Sequence, residues 1–275
     1  FPVYLFLLAL SLIWHFRLQP DWFSTIALLP VELTLSQTFY YIQLVMFSFN
    51  DNFWYVSVAF FLYLIFPALN WVASQIKRPL IWIGILTVFS EYVYWLSISR
   101  PVIVETYYYI NPIFRIPEFF AGILVCDLVK KQGAKVRWYV VALSTVIFFA
   151  LFLTMYMPLI VWSQNYNLFN IIVIPYVSIL LVACASAKPE GGWERFARSK
   201  PVSYLAGLGL TMYLCQSIPF AMKEGDYLHL AFLYEKIPAV VMFYLLTIGS
   251  AILLNALIER PVKKLLRKGS GRKDK

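Results

Sequence analysis

Eight apolar runs, each close to the length of a membrane-crossing helix, follow one another along this chain. They fall near Phe1–Phe16, Phe53–Gln75, Leu80–Ile98, Ile113–Val129, Trp138–Met157, Leu168–Ala187, Val202–Met222 and Ile237–Ile258. About 20 apolar residues in helical form cross the hydrocarbon layer. Helices are the expected form, because lipid offers no hydrogen-bond partner to an open backbone. The expected fold is therefore all-α: a polytopic transmembrane helix bundle of about eight spanning helices. One stretch, Asp21–Asn52, is apolar but broken by Pro30, Glu32 and a Ser/Thr/Gln set. It reads as an interfacial or re-entrant segment, with a ninth span as the alternative.

Composition removes the soluble alternatives. Hydrophobic residues make up 61% and charged residues 13% of the chain, against roughly 45–50% and about 25% in soluble domains. Aromatics at 19% suit two membrane interfaces. A net charge of +9 raises the question of nucleic acid, but the charges sit in the gaps between apolar runs and in the tail. No nucleic-acid partner is expected. Eighteen of the 23 lysines and arginines fall in Ile76–Pro79, Lys130–Arg137, Lys188–Pro201 and the segment from Glu259 onward. The positive-inside rule makes these the cytoplasmic gaps and puts the C-terminus inside. The chain then divides into a helical membrane domain, 1–258, and a basic cytoplasmic tail, 259–275, with anionic lipid as a natural contact.

Local signals set the helix ends. Pro79, Pro117 and Pro201 stand where spans begin, where a missing N–H costs nothing. Arg260 precedes Pro261, which disfavours continuing the last helix. Val262–Lys268 is then expected as a short amphipathic turn along the inner leaflet, followed by a disordered end. The chain enters an apolar helix directly at Phe1, with no signal-peptide pattern, and an N-terminal truncation is expected.

Few residues carry a chemical signal. Cys126, Cys184 and Cys215 are scattered in apolar runs, which reads as buried inert thiols rather than disulfides or a zinc site. His15 and His229 have no metal-ligand spacing, so no metal is expected. Arg115 and Glu118 lie three apart and can share a helix face, either as a structural pair capping the helix or as a site. Ionisable groups at membrane depth are costly and tend to be paired and functional. Glu91 falls within a span and is a candidate buried carboxylate, whereas Asp127 lies near an inner helix end and is expected to be solvated. Trp54, Ser57 and Tyr63 on one run supply either an interfacial belt with polar contacts between helices or a binding surface.

Four short motifs in order resemble the acyltransferase-3 family of membrane O-acyltransferases. Trp54, Ser57, Tyr63, Phe66 and Pro67 resemble its W-x-x-S…Y-L-x-F-P segment. Asn111, Pro112, Arg115, Pro117, Glu118, Phe119 and Gly122 resemble N-P-x-x-R-x-P-E-F-x-x-G. Tyr204-Leu205 with Tyr213-Leu214 is similar to a late L-G…Y-L stretch, and Ile258-Glu259-Arg260-Pro261 to the closing I-E-R-P. Pro2 and Tyr4 resemble the P-x-Y that opens the family's third helix. The likeness extends over nearly the whole chain. It departs at Ala59, where many members carry Glu, and at Gln216, where many carry His. The family's first two helices, with the His usually proposed as catalytic and a basic R-x-x-R, have no counterpart here.

The resemblance implies transfer of an acyl group, commonly acetyl, from cytoplasmic acyl-CoA to a hydroxyl of an envelope glycan or lipid-linked sugar in a bacterial inner membrane. Such transfer needs a base, oxyanion donors and positioning. Arg115 and Glu118 are the expected catalytic pair. Trp54, Ser57, Tyr63, Asn111 and Glu91 are the expected substrate-binding residues. Acyl-CoA is the expected co-substrate, and membrane lipid and the glycan are the partners. With the proposed His upstream of Phe1, this form alone is expected to be inactive. Two other readings use the same residues. A catalytically inactive partner of this fold would explain Ala59 and Gln216. A small-molecule transporter would call for matched repeats of broken helices, and none is visible.

Overall fold

The computed structural model describes residues 2–18, 22–98, 102–156, 166–185, 195–196, 198–218 and 239–269. Among these the regular structure is all helical. The helices are α1 (Pro2–Leu18), α2 (Trp22–Leu33), α3 (Gln43–Met46), α4 (Phe53–Gln75), α5 (Pro79–Ile98), α6 (Val102–Ile110), α7 (Pro112–Gln132), α8 (Trp138–Tyr156), α9 (Tyr166–Ala185), α10 (Lys200–Gly207), α11 (Gly209–Cys215), α12 (Ala239–Leu254) and α13 (Arg260–Gly269). A 3-10 turn spans Gln37–Phe39 and a π turn spans Asn255–Glu259. Two helices, Phe53–Gln75 and Val241–Leu266, are long and apolar enough to cross a membrane, while Pro2–Ile13, Pro79–Val93, Trp138–Ala150 and Ile174–Cys184 are shorter apolar stretches. Large apolar side chains stand exposed along these helices, among them Leu64, Leu80, Val88, Val146 and Leu253. Water penalises such a surface and lipid does not.

The chain forms two compact units. One is drawn from Phe1–Gln37, Leu44–Trp54 and Phe196–Lys275, the other from Thr38–Gln43 and Tyr55–Arg195. In the second unit α7 packs on α5 and α9, α5 also meets α9, and α8 lies against α9. Its core joins Ala73 of α4, Ile83 of α5, Ile174 and Val182 of α9, and Phe120, Ala121, Leu124, Val125 and Leu128 of α7. Small side chains, Ala73 and Ala121, stand among the larger ones in this core.

Both ends of α7 are closed by its own sequence. Asn111 caps the start: its side-chain oxygen accepts the Ile113 N–H at 3.0 Å, and Pro112 follows at the first turn. Gly133 ends the helix at φ 61°, a left-handed conformation natural to glycine. There the Gly133 N–H donates to Val129 O at 3.1 Å and the Ala134 N–H to Leu128 O at 3.2 Å. The first of these satisfies a carbonyl the helix would otherwise leave open.

In the first unit α1 packs on α2 and on the π turn, and α11 packs on α12. The Asp21–Asn52 stretch is no single span: over its described residues it breaks into α2 of 12 residues, the 3-10 turn and α3 of 4 residues. At 1.5 Å per residue, α2 is about 18 Å long and falls short of the roughly 30 Å layer.

Four expectations need correction. The run Val202–Met222 is not one helix, because α10 ends at Gly207 and α11 begins at Gly209, with glycines on both sides of Leu208. Pro117 does not begin a span but lies inside α7, where it removes the N–H that Ile113 O would accept. Arg260–Pro261 does not stop the last helix. The five-residue π turn admits one extra residue, and α13 continues through Pro261 to Gly269. Cys215 is buried, but Cys126 and Cys184 are exposed; Cys126 falls off the Ala121–Val125–Leu128 stripe that α7 buries.

Candidate functional site

The first turns of α7 carry an organised charge pair. Arg115 and Glu118 make an ion pair, Nη1 to Oε1 at 2.6 Å, as their spacing of three allows. Helix α6, a short helix not anticipated from the sequence, supplies the other anchor. Arg115 Nε donates to Tyr109 O at 2.5 Å, and the guanidinium lies over the Tyr109 ring at 4.4 Å from its centroid. Carbonyl, ring and carboxylate together fix the guanidinium plane. These contacts use two of its five N–H groups and leave three for a ligand. The pair is partly open, with side-chain exposures of 22% for Arg115 and 38% for Glu118.

Glu91 reaches the same place from α5. It is half-buried, and its charge interacts with that of Glu118. Glu118 thus interacts with the Arg115 cation and, through charge, with a second carboxylate. On the neighbouring turn, Phe119 receives the ring edges of Tyr63 and Phe66 of α4, each with centroids 6.2 Å away. Tyr107 and Tyr108 of α6 pack around Phe114. The arrangement is a cation fixed by a carboxylate, a carbonyl and a ring, with a second carboxylate near Glu118 and aromatic pairs on the adjoining residues Phe114 and Phe119.

The other expected residues are placed as follows. Ser57 and Asn111 are buried, with relative exposures of 0% and 1%. Both bind Thr38: the Ser57 and Thr38 hydroxyls are 2.7 Å apart, and Asn111 Nδ2 donates to Thr38 O at 3.2 Å. Two motifs distant in sequence thus meet on one buried residue. Tyr63 is 70% exposed on α4, its ring edge-on to Phe119. Trp54 belongs to the other unit, where its ring meets Tyr213 edge-on at 6.4 Å. Asp127 is paired with Lys131 at 2.6 Å. The His15 side chain and His229 lie outside the described residues.

Two further polar clusters lie in the first unit. Glu259 of the π turn accepts from Thr211 at 3.2 Å, Asn255 at 2.8 Å and Lys263 at 2.5 Å. Beside it the Arg260 guanidinium lies 5.2 Å from the Tyr204 ring centroid. The late Tyr204-Leu205 and Ile258–Pro261 motifs therefore close on each other. The second cluster is Glu32, fully buried between Tyr4 and Ser48. Reading the sequence flagged Glu32 only as an interruption of an apolar stretch. Tyr109 was also missed, since nothing in the Tyr107-Tyr108-Tyr109 run singles out the member whose carbonyl meets Arg115.

Among the described residues, no group of three His, Cys, Asp or Glu could hold a metal ion. No curated protein and no solved structure matches the chain. A family model, the acyltransferase domain of the acyltransferase-3 family, matches residues 2–256. That match runs through every helix from α1 to α12 and includes the Arg115–Glu118 pair, so the chain belongs to the acyltransferase-3 family of membrane acyltransferases.

Proposed function

We propose that this protein is an integral membrane O-acyltransferase that moves an acyl group, acetyl in the first instance, from cytoplasmic acyl-CoA to a hydroxyl of an envelope glycan or lipid-linked sugar. The observation that carries the reading is the Arg115–Glu118 pair, held by Tyr109 at the start of the doubly capped α7, within a family of acyltransferases. In the reaction the acceptor oxygen attacks the thioester carbonyl carbon. A C–O bond forms, the C–S bond breaks, the hydroxyl proton passes to a base and CoA leaves as the thiol.

Negative charge builds on the carbonyl oxygen as the acceptor attacks, and the open N–H groups of Arg115 stabilise it there. Glu118 keeps the guanidinium in plane and balances its charge. Glu91 accepts from acceptor hydroxyls beside the reacting one. Tyr63 offers an exposed ring of the kind sugars and acyl chains stack on. Ser57 and Asn111, both buried on Thr38, position α4 and α7.

The bundle is proposed to cross a bacterial inner membrane about eight times, with the basic tail in the cytoplasm. Acyl transfer from labelled acetyl-CoA to glycan, measured in membranes that carry the full-length protein, tests the reading. Arg115→Ala is expected to abolish transfer at unchanged membrane level. Wild-type transfer in that variant would remove Arg115 from the site.

A further inference from the structure

Glu32 ends α2 with its side chain enclosed by two hydroxyls and no cation among the described residues. Tyr4 and Glu32 are 1% and 0% exposed. The Tyr4 hydroxyl lies 2.9 Å from Glu32 O and 3.0 Å from Glu32 Oε2. The Ser48 hydroxyl oxygen lies 2.5 Å from Glu32 Oε1 and 2.9 Å from Val45 O. The Tyr4 ring is itself fixed, its centroid 4.6 Å from that of Phe53.

Counting protons bears on the state of this cluster at Ser48. Four oxygen–oxygen contacts draw on two hydroxyl protons, because Tyr4 and Ser48 carry one each. If Glu32 is a carboxylate, the Ser48 proton must choose between Oε1 and Val45 O. The contact left over then sets two acceptors against each other. One added proton on Oε1 relieves the Ser48 side: Glu32 donates to Ser48 Oγ and Ser48 donates to Val45 O, while Tyr4 shares its proton between Glu32 O and Oε2. Charge points the same way, since an enclosed carboxylate without a cation is costly. Burial pushes the carboxyl up to about 7, against the pull of the Ser48 and Tyr4 hydroxyls.

We infer that Glu32 is a proton-binding site: a neutral carboxylic acid whose own proton closes the chain Tyr4–Glu32–Ser48–Val45 and fastens the segment Leu44–Asn50 to α1. The residue is a positioning residue. Its proton joins three pieces of chain that share no regular backbone ladder.

Infrared spectroscopy of the purified full chain at pH 6 tests this. A protonated carboxylic acid gives a carbonyl band well above the carboxylate stretches. The wild type is expected to show such a band that Glu32→Gln lacks. Because Gln can donate to Ser48 and accept from Tyr4, Glu32→Gln is expected to keep the wild-type melting midpoint, whereas Glu32→Ala loses it. Should Glu32→Gln fail to fold, Tyr4→Phe serves instead, since removing one donor to the carboxyl moves the acid band upward. The inference is overturned if the acid band is the same in wild type and Glu32→Gln, if it is unmoved in Tyr4→Phe, or if Glu32→Gln folds but melts as low as Glu32→Ala.

Discussion

Asn111 shows how the fold holds the candidate site, and its replacement has a magnitude that follows from two contacts. Its oxygen caps α7 at the Ile113 N–H, and its amide donates to Thr38 O, with 1% of the residue exposed. Losing a helix N-cap costs about 1 kcal/mol, within a range of roughly 0.5–2. Leaving the Thr38 carbonyl buried without its donor costs about 1–3 kcal/mol more. Asn111→Ala removes both and is expected to destabilise the protein by about 2–4 kcal/mol. Asn111→Ser keeps a capping oxygen but loses the amide, so about 1–3 kcal/mol is expected. Thermal melting in detergent, followed by tryptophan fluorescence, reads the order wild type, Ser, Ala, with the Ala midpoint lower by roughly 5 °C or more. The cap also holds the turn carrying Arg115, so transfer activity is expected to fall in the same order. An Ala midpoint within a degree of wild type would refute the reasoning, because it would mean that neither contact bears on stability.

Four other outcomes are expected. Arg115→Lys, which keeps the charge but not the planar fork, should lose most transfer activity with no change in melting. Glu32 rises from the ordinary 4.5 to about 7 on folding, so its contribution is fully present below about pH 4.5 and is lost as pH rises through 7. The wild-type melting midpoint should therefore fall between pH 5 and 8, by a free energy of roughly 3 kcal/mol, and Glu32→Gln should flatten that slope. Gly133→Ala meets no neighbouring atom but must adopt φ 61°, so it should cost about 1–2 kcal/mol and leave transfer intact. Glu259→Ala removes the acceptor shared by Thr211, Asn255 and Lys263, and limited trypsin should then cut α13 faster than in wild type.

How far the sequence revealed this molecule depends on which signal each element carries. Helix α4 was read with both its ends, Phe53 and Gln75, because a long apolar run bounded by polar gaps leaves little choice. The starts of α5 and α8 were found within a residue, at the breaks before Leu80 and Trp138. Helix α6 was missed because nine residues holding Glu105 and Thr106 make no apolar run. The Leu208 break was hidden by the hydropathy of its surroundings. The helix through Pro261 was misread because a π turn is a matter of hydrogen-bond register, which composition does not record.

For the site, the three-residue spacing made the Arg115–Glu118 contact legible. The meeting of Ser57 and Asn111 on Thr38 was not, since it joins residues 19 and 73 positions apart. Glu32 was seen as a break in an apolar stretch, and only the fold shows the hydroxyls that enclose it.

The central claim is that Arg115 and Glu118 act as one unit in acyl transfer. Transfer from labelled acetyl-CoA should be measured in membranes of the full-length wild type, Arg115→Ala, Glu118→Ala and the double variant, at matched membrane levels. The account predicts that each single change removes nearly all transfer and that the double variant is no worse than either. Near-normal transfer in either single variant, or losses that multiply in the double, would contradict it.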